Sequence, residues 1–124
     1  MNKYRDKSDF EINKAVAEYY LTRAYRFNSA DEVVELIDIN LSCEFGGEIN
    51  LVDTQAVGTF DPCNNPADAM PIIIENGISL ISDWNEIGLW GATYQPWIYS
   101  ENKNPYRAAM EVFLMIKDAE NEKV

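Results

Sequence analysis

An α+β domain is predicted, with one antiparallel sheet of four to five strands and three helices in the order α-β-β-α-β-β-α. Three observations carry this. Ile37, Ile39, Leu41, Cys43 and Phe45 alternate with Asp38, Asn40, Ser42 and Glu44, the period of a strand with one face in the core. Trp90, Ala92 and Tyr94 alternate in the same way with Gly91 and Thr93. Asn-Pro pairs at 65–66 and 104–105 each introduce an apolar run, and Asn as a cap followed by Pro at the first helical position is a helix opening.

The first helix opens at Ser8. Ser8-Asp9-Phe10-Glu11 has the capping-box form, and Ile12, Val16, Tyr19 and Tyr20 continue as one apolar face to about Leu21. Residues 26–31 (RFNSAD) read as a polar connection. Gly46-Gly47 then ends the first strand, and Ile49 and Leu51 resume its odd apolar positions. A three-residue loop, Gly46-Gly47-Glu48, would pair Phe45 with Ile49 and Cys43 with Leu51 and keep both strands in phase, whereas a two-residue turn would invert one of them. Residues 56–60 fit either more strand or the approach to a helix.

Asn65 and Pro66 open the second helix, with Asp68 in its first turn and Asn76-Gly77 as a left-handed stop. Pro71 falls inside it, where a proline costs about 3 kcal/mol, so either the helix kinks or its regular part starts at Asp68. Ile78–Ser82 and Leu89–Tyr94 read as a second hairpin about a loop at 83–88, Pro96 ends it, and 100–104 (SENKN) is a loop. The last helix begins at Asn104-Pro105. From Ala108 to Ile116 only Glu111 is polar, so this helix is covered on more than one side, by its own chain or by a second copy through 105–117.

A chain of 124 residues suits one domain, taken here as 1–124, and the 47% apolar content excludes a mainly disordered chain. The charged N-terminus lacks a secretory h-region and no apolar run is long enough to span a bilayer, so a soluble protein of the reducing cytoplasm is expected. The net charge is −11, and between Phe27 and Asn102 there are thirteen acids and no Lys or Arg. Such a surface repels nucleic acid and anionic membrane; it serves solubility or suits a basic partner. DNA mimicry is a special case, weakened because the predicted exposed strand face carries only Asp38 and Glu44, about 20 Å apart.

The segments SDFEINKAVAE (8–18), CNNPADAMPIIIENGISL (63–80) and NPYRAAMEVFLM (104–115) resemble the NinX family of small phage proteins, in order and over nearly the whole chain. More distantly the chain is similar to phage domains described as an α/β/α sandwich. The resemblance implies a phage or prophage gene among small early-region genes and no assigned activity. It rests on segments outside 21–57, so nothing located there carries over.

No His is present, which removes the commonest general base at neutral pH and the commonest metal ligand. Cys43 lies on the core parity of its strand and reads as a small hydrophobe. Cys63 precedes a helix N-terminus, a setting that lowers a thiol pKa, but no basic residue is near it in sequence. The carboxylates are scattered, with no DxD pattern, and Gly46-Gly47 is explained by a turn rather than a phosphate loop. No cofactor and no metal site are expected, and an enzyme is the least favoured class.

The densest chemical feature is aromatic: Trp84, Trp90, Tyr94, Trp97, Tyr99 and Tyr106, with Arg107 beside them. Aromatics on neighbouring strands usually form core. The alternative is a rim of exposed anchors, with Asp68 and Arg107 facing each other at the two helix starts. Asn64, Asp68, Trp84, Trp90, Trp97 and Arg107 are therefore the candidate partner-binding or ligand-binding residues, Asn64 being equally well read as part of a cap. The expected function is non-enzymatic binding of a host or phage macromolecule, with inhibition as one form of it; the expected partner is a host or phage protein, a basic one if charge decides. The competing expectation is a small-ligand, nucleotide-like binder or sponge.

Overall fold

The computed structural model describes residues 2–43, 49–95 and 97–122. Its elements are α1 (Asp9–Tyr20), β1 (Tyr25–Asn28), β2 (Val33–Cys43), β3 (Ile49–Phe60), α2 (Pro66–Asn76), β4 (Ser79–Ser82), β5 (Trp90–Tyr94), β6 (Ile98–Asn102) and α3 (Pro105–Glu122). The α+β class holds, but the strands form two three-stranded antiparallel meanders, β1-β2-β3 and β4-β5-β6, instead of one sheet of four to five. The order is α-βββ-α-βββ-α. Each expected hairpin gains one short edge strand: β1 replaces much of the polar connection at 26–31, and β6 takes in residues 100–102 of the expected loop.

Local chemistry sets the helix ends. Ser8 Oγ accepts from the Glu11 amide at 3.1 Å, and Asn65 Oδ1 accepts from the Ala67 amide at 3.0 Å. Asn104 Oδ1 accepts from the amides of Tyr106 and Arg107. Gly77 closes α2 at φ 67°, and the Ile78 amide reaches back to the Ile73 carbonyl at 3.0 Å. Pro71 lies inside a continuous α2 that starts at Pro66. It stands on the exposed side of α2, one turn after exposed Ala67, whose carbonyl is left for water.

The first meander departs from simple alternation. β2 pairs Leu36 with Gly58 but Ile37 with Ala56, so Val57 is an extra residue and the register shifts. At the far end Cys43 lies opposite Ile49 and Ser42 opposite Leu51, which overturns the expected Cys43–Leu51 pair. The turn itself, with Phe45 and Gly46-Gly47, lies outside the described residues. Among the described residues this sheet joins the core through Val34 and Phe60, which sit opposite each other and are buried, with Tyr25 and Leu36 packed beside them.

α3 is the centre of the molecule. The second sheet, α1 and α2 all pack against it. Val112, Phe113, Leu114 and Met110 are fully buried, each apolar side chain contributing about 2 kcal/mol relative to exposure. The apolar circumference that made 105–117 a candidate dimer contact is thus taken up within the chain. Among the described residues no helix is long and apolar enough to cross a membrane.

Candidate binding site on the second sheet

The two helix openings meet, and polar side chains join them. Asn104 Nδ2 donates to the Cys63 carbonyl at 2.7 Å and to Asn64 Oδ1 at 3.0 Å. Asn64 in turn donates to Asp9 and Asp61. Asp68 accepts from the Asp61 amide at 2.9 Å and from Asn65 Nδ2. It does not face Arg107. The residue that does is Asp9, from the first turn of α1, at 2.7 Å.

Arg107 is buried and its fork is spent internally. Nε donates to Glu111 at 2.6 Å, one turn further along α3, and Nη2 donates to the carbonyls of Tyr4 at 2.9 Å and Lys7 at 2.7 Å. Burial works against its charge, but the hydrogen bonds to Glu111 and Asp9 outweigh that and hold its pKa above the ordinary value. Glu111, 1% exposed, also accepts from Asn2 and Ser100. This network straps residues 2–8 onto α3. Asn64, Asp68 and Arg107 therefore belong to the scaffold, each engaged by its own chain.

Cys63 is buried, and its thiol lies 3.8 Å from the Asp9 carbonyl. Burial, then the negative charge of Asp9, pushes its pKa well above the ordinary range, although it precedes a helix. Burial thus outweighs the nearby helix end. Among the described residues no group of three or more His, Cys, Asp or Glu is placed to hold a metal ion.

The aromatic cluster divides between the two faces of the second sheet. In the register, Leu80, Ala92 and Ser100 lie in one row and share a face with Trp90 and Tyr94. That face looks onto α3: Ala92 is fully buried, and Tyr94 and Tyr106 pack against the core. Trp90 is half-buried on it. The neighbouring rows, Ile81-Gly91-Glu101 and Ser79-Thr93-Tyr99, turn outward.

On that outer face Trp84 is folded flat over Gly91. A Cβ at position 91 would fall 2.5 Å from Trp84 Cδ2 and 2.6 Å from Cγ, so only glycine permits this approach. The 83–88 loop achieves it with three left-handed residues, Asp83 (φ 54°), Asn85 (62°) and Gly88 (92°). The Trp84 amide donates to the Leu89 carbonyl at 2.9 Å, and Asp83 Oδ1 accepts from the Gly88 amide at 3.1 Å. Positive φ at Asp and Asn is tolerated but disfavoured, so the loop holds strain to place this ring. The Trp84 indole N–H is buried with no partner among the described residues.

Tyr99 lies beside Trp84, ring centroids 6.1 Å apart, and is 52% exposed; Trp97 is 76% exposed. Together with Asn2, Arg5, Asn85 and Glu101, and with Ser100 and Met115 from the α3 side, these two rings border a concavity of about 340 Å³ at the β6 edge of the sheet. Glu101 accepts from Arg5 at 3.3 Å and from Asn85 at 3.2 Å. Of the expected site residues, Trp84 lies on this outer face and Trp97 borders the concavity beside Tyr99, whereas Asn64, Asp68, Trp90 and Arg107 lie elsewhere. Sequence reasoning did not select Gly91, although a glycine out of phase with Trp90, Ala92 and Tyr94 signals close approach to a strand. Asn2 and Arg5 arrive from the other end of the chain, and no local pattern announces them.

Fold and surface define a small α+β protein, two meander-and-helix units about one buried helix, with an aromatic sheet face left open. The chain belongs to the NinX family: the family model described as "Bacteriophage P22, NinX" matches residues 3–117. It is accordingly a phage accessory protein of unassigned function. No curated protein and no solved structure matches it significantly.

Proposed function

We propose that the protein acts by binding a host or phage protein in the bacterial cytoplasm, without a reaction of its own, and that the outer face of the second sheet is the binding surface. The observation that carries this reading is the Trp84 platform. A strained loop and an obligate glycine hold a large ring on the solvent side of a sheet, where it adds nothing to the main core. Tyr99 extends that platform and Trp97 borders the concavity beside Tyr99, both highly exposed, and Trp, Tyr and Arg dominate the energetics of protein interfaces. Exposed Ile81 shares the face, in the row that contains Gly91.

A second reading, a small planar ligand seated in the concavity, is favoured by the polar groups at its border, Arg5 and Asn85 above all. Capture from infected cells with the wild-type chain and with Trp97→Ala separates the two. A protein retained by the wild type and lost by the variant supports the first reading. A small molecule that co-purifies with the wild type alone, with no protein retained, overturns it in favour of the second.

A further inference from the structure

The geometry points to a basic segment of a partner protein as the occupant of this face, an Arg or Lys side chain laid against Trp97 and Tyr99; this rests on the proposed function and names its partner's chemistry. Three features support it. First, the exposed rings offer their negative π-faces, which attract cations, and desolvation on docking strengthens that attraction. Second, the charged residues of the 83–88 loop and of β6, Asp83, Glu86 and Glu101, are all acids. Arg5, the cation that borders the concavity, is already engaged by Glu101. Third, the long-range field agrees: no Lys or Arg occurs from Phe27 to Asn102, and the whole chain carries −11. A nucleotide or an acidic peptide would approach against that field, whereas a basic segment is steered in.

Binding to an acidic protein is not by itself evidence, because any cation gathers near such a surface. The test therefore uses two capped nonapeptides, one with Arg alternating with Val and one with Gln in place of every Arg, titrated at 150 mM salt. Both are applied to the wild type, to Trp97→Ala and to Glu18→Gln, a substitution on the exposed side of α1 away from the second sheet. The expected result is that the Arg peptide binds the wild type at least tenfold more tightly than the Gln peptide. Trp97→Ala loses at least tenfold, and Glu18→Gln loses less than twofold. Trp97 is 76% exposed, so the variant's thermal melt is expected to match the wild type and exclude misfolding as the cause.

Equal binding of the two peptides, no binding of either, or equal loss in Trp97→Ala and Glu18→Gln would overturn the basic occupant. So would a response to ATP but not to the Arg peptide, or a doubling of mass that blocks the peptide. If Trp97→Ala still abolishes protein capture from infected cells while the Arg peptide fails, the face stands as a binding surface and its basic partner falls.

Discussion

Gly91 and Trp84 are matched: the ring of one occupies the space that a side chain on the other would need, with a Cβ at position 91 reaching 2.5 Å from Cδ2. Gly91→Ala must therefore lift the indole or shift β5, and overpacking of this kind costs about 1–3 kcal/mol. Urea denaturation should show a loss in that range. Trp84 fluorescence should move to longer wavelength as the ring enters water, and the platform should lose affinity for whatever binds it. An unchanged emission spectrum in Gly91→Ala would show that the ring does not rest on this glycine.

Arg107→Lys tests the strap across α3. A lysine keeps the charge but not the fork that joins Glu111, Asp9 and the carbonyls of Tyr4 and Lys7. Glu111 would stay buried with a poorer partner, and breaking a buried pair costs about 3–5 kcal/mol. The expected outcome is a loss at the lower end of that range, with faster amide hydrogen exchange over residues 4–8. Loss of stability without that local opening would show that the strap is held by other contacts.

Much of this scaffold is legible in the chain itself, and the reason is locality. Ser8, Asn65-Pro66, Gly77 and Asn104-Pro105 work on amides and carbonyls within a few residues, so their chemistry can be read without the fold. β1 and β6 are different. Each is a four- or five-residue edge strand of mixed polarity, Tyr25–Asn28 and Ile98–Asn102, that becomes a strand only because β2 or β5 offers it a ladder. The extra residue Val57 likewise shifts a register that strict alternation would have kept. The aromatic cluster was found by composition, but its division into core and surface depends on which rows of the sheet face α3. Arg107 is legible too, but its partner is not, because Asp9 lies at the opposite end of the sequence.

Cys63 provides a pH-dependent test. Burial raises its folded-state pKa above the ordinary value of 9.0, so folding favours the neutral thiol. That contribution is complete below the pKa of the unfolded thiol and is lost as pH rises from there towards the folded pKa, by at most about 1.4 kcal/mol per pH unit. Urea melts between pH 8.5 and 10 should fall less steeply in Cys63→Ala than in the wild type. At pH 8 peptide-resolved iodoacetamide labelling should leave Cys63 unmodified until the protein is unfolded; rapid labelling of the native thiol would contradict its burial.

Asn104→Ala removes a cap and a bridge at once. The side chain accepts from two amides of α3 and donates to Cys63 and Asn64 of the α2 opening. A helix cap alone is worth about 1 kcal/mol, and a buried carbonyl left without its donor adds a similar amount. A loss of about 2 kcal/mol is expected. Asn104→Asp, which keeps the cap and removes the donor, should recover roughly half of it in the same urea titration.

Under the proposed function the three tryptophans have different tasks: Trp84 and Trp97 meet the partner, and Trp90 faces α3. The indole N–H region of a nitrogen-15 spectrum reports each of them separately once Trp→Phe variants assign the three signals. Adding the partner captured from infected cells should shift or broaden the Trp84 and Trp97 signals and leave Trp90 in place. Movement of Trp90 alone, or binding that leaves all three unchanged, would contradict the assignment of the outer face as the site.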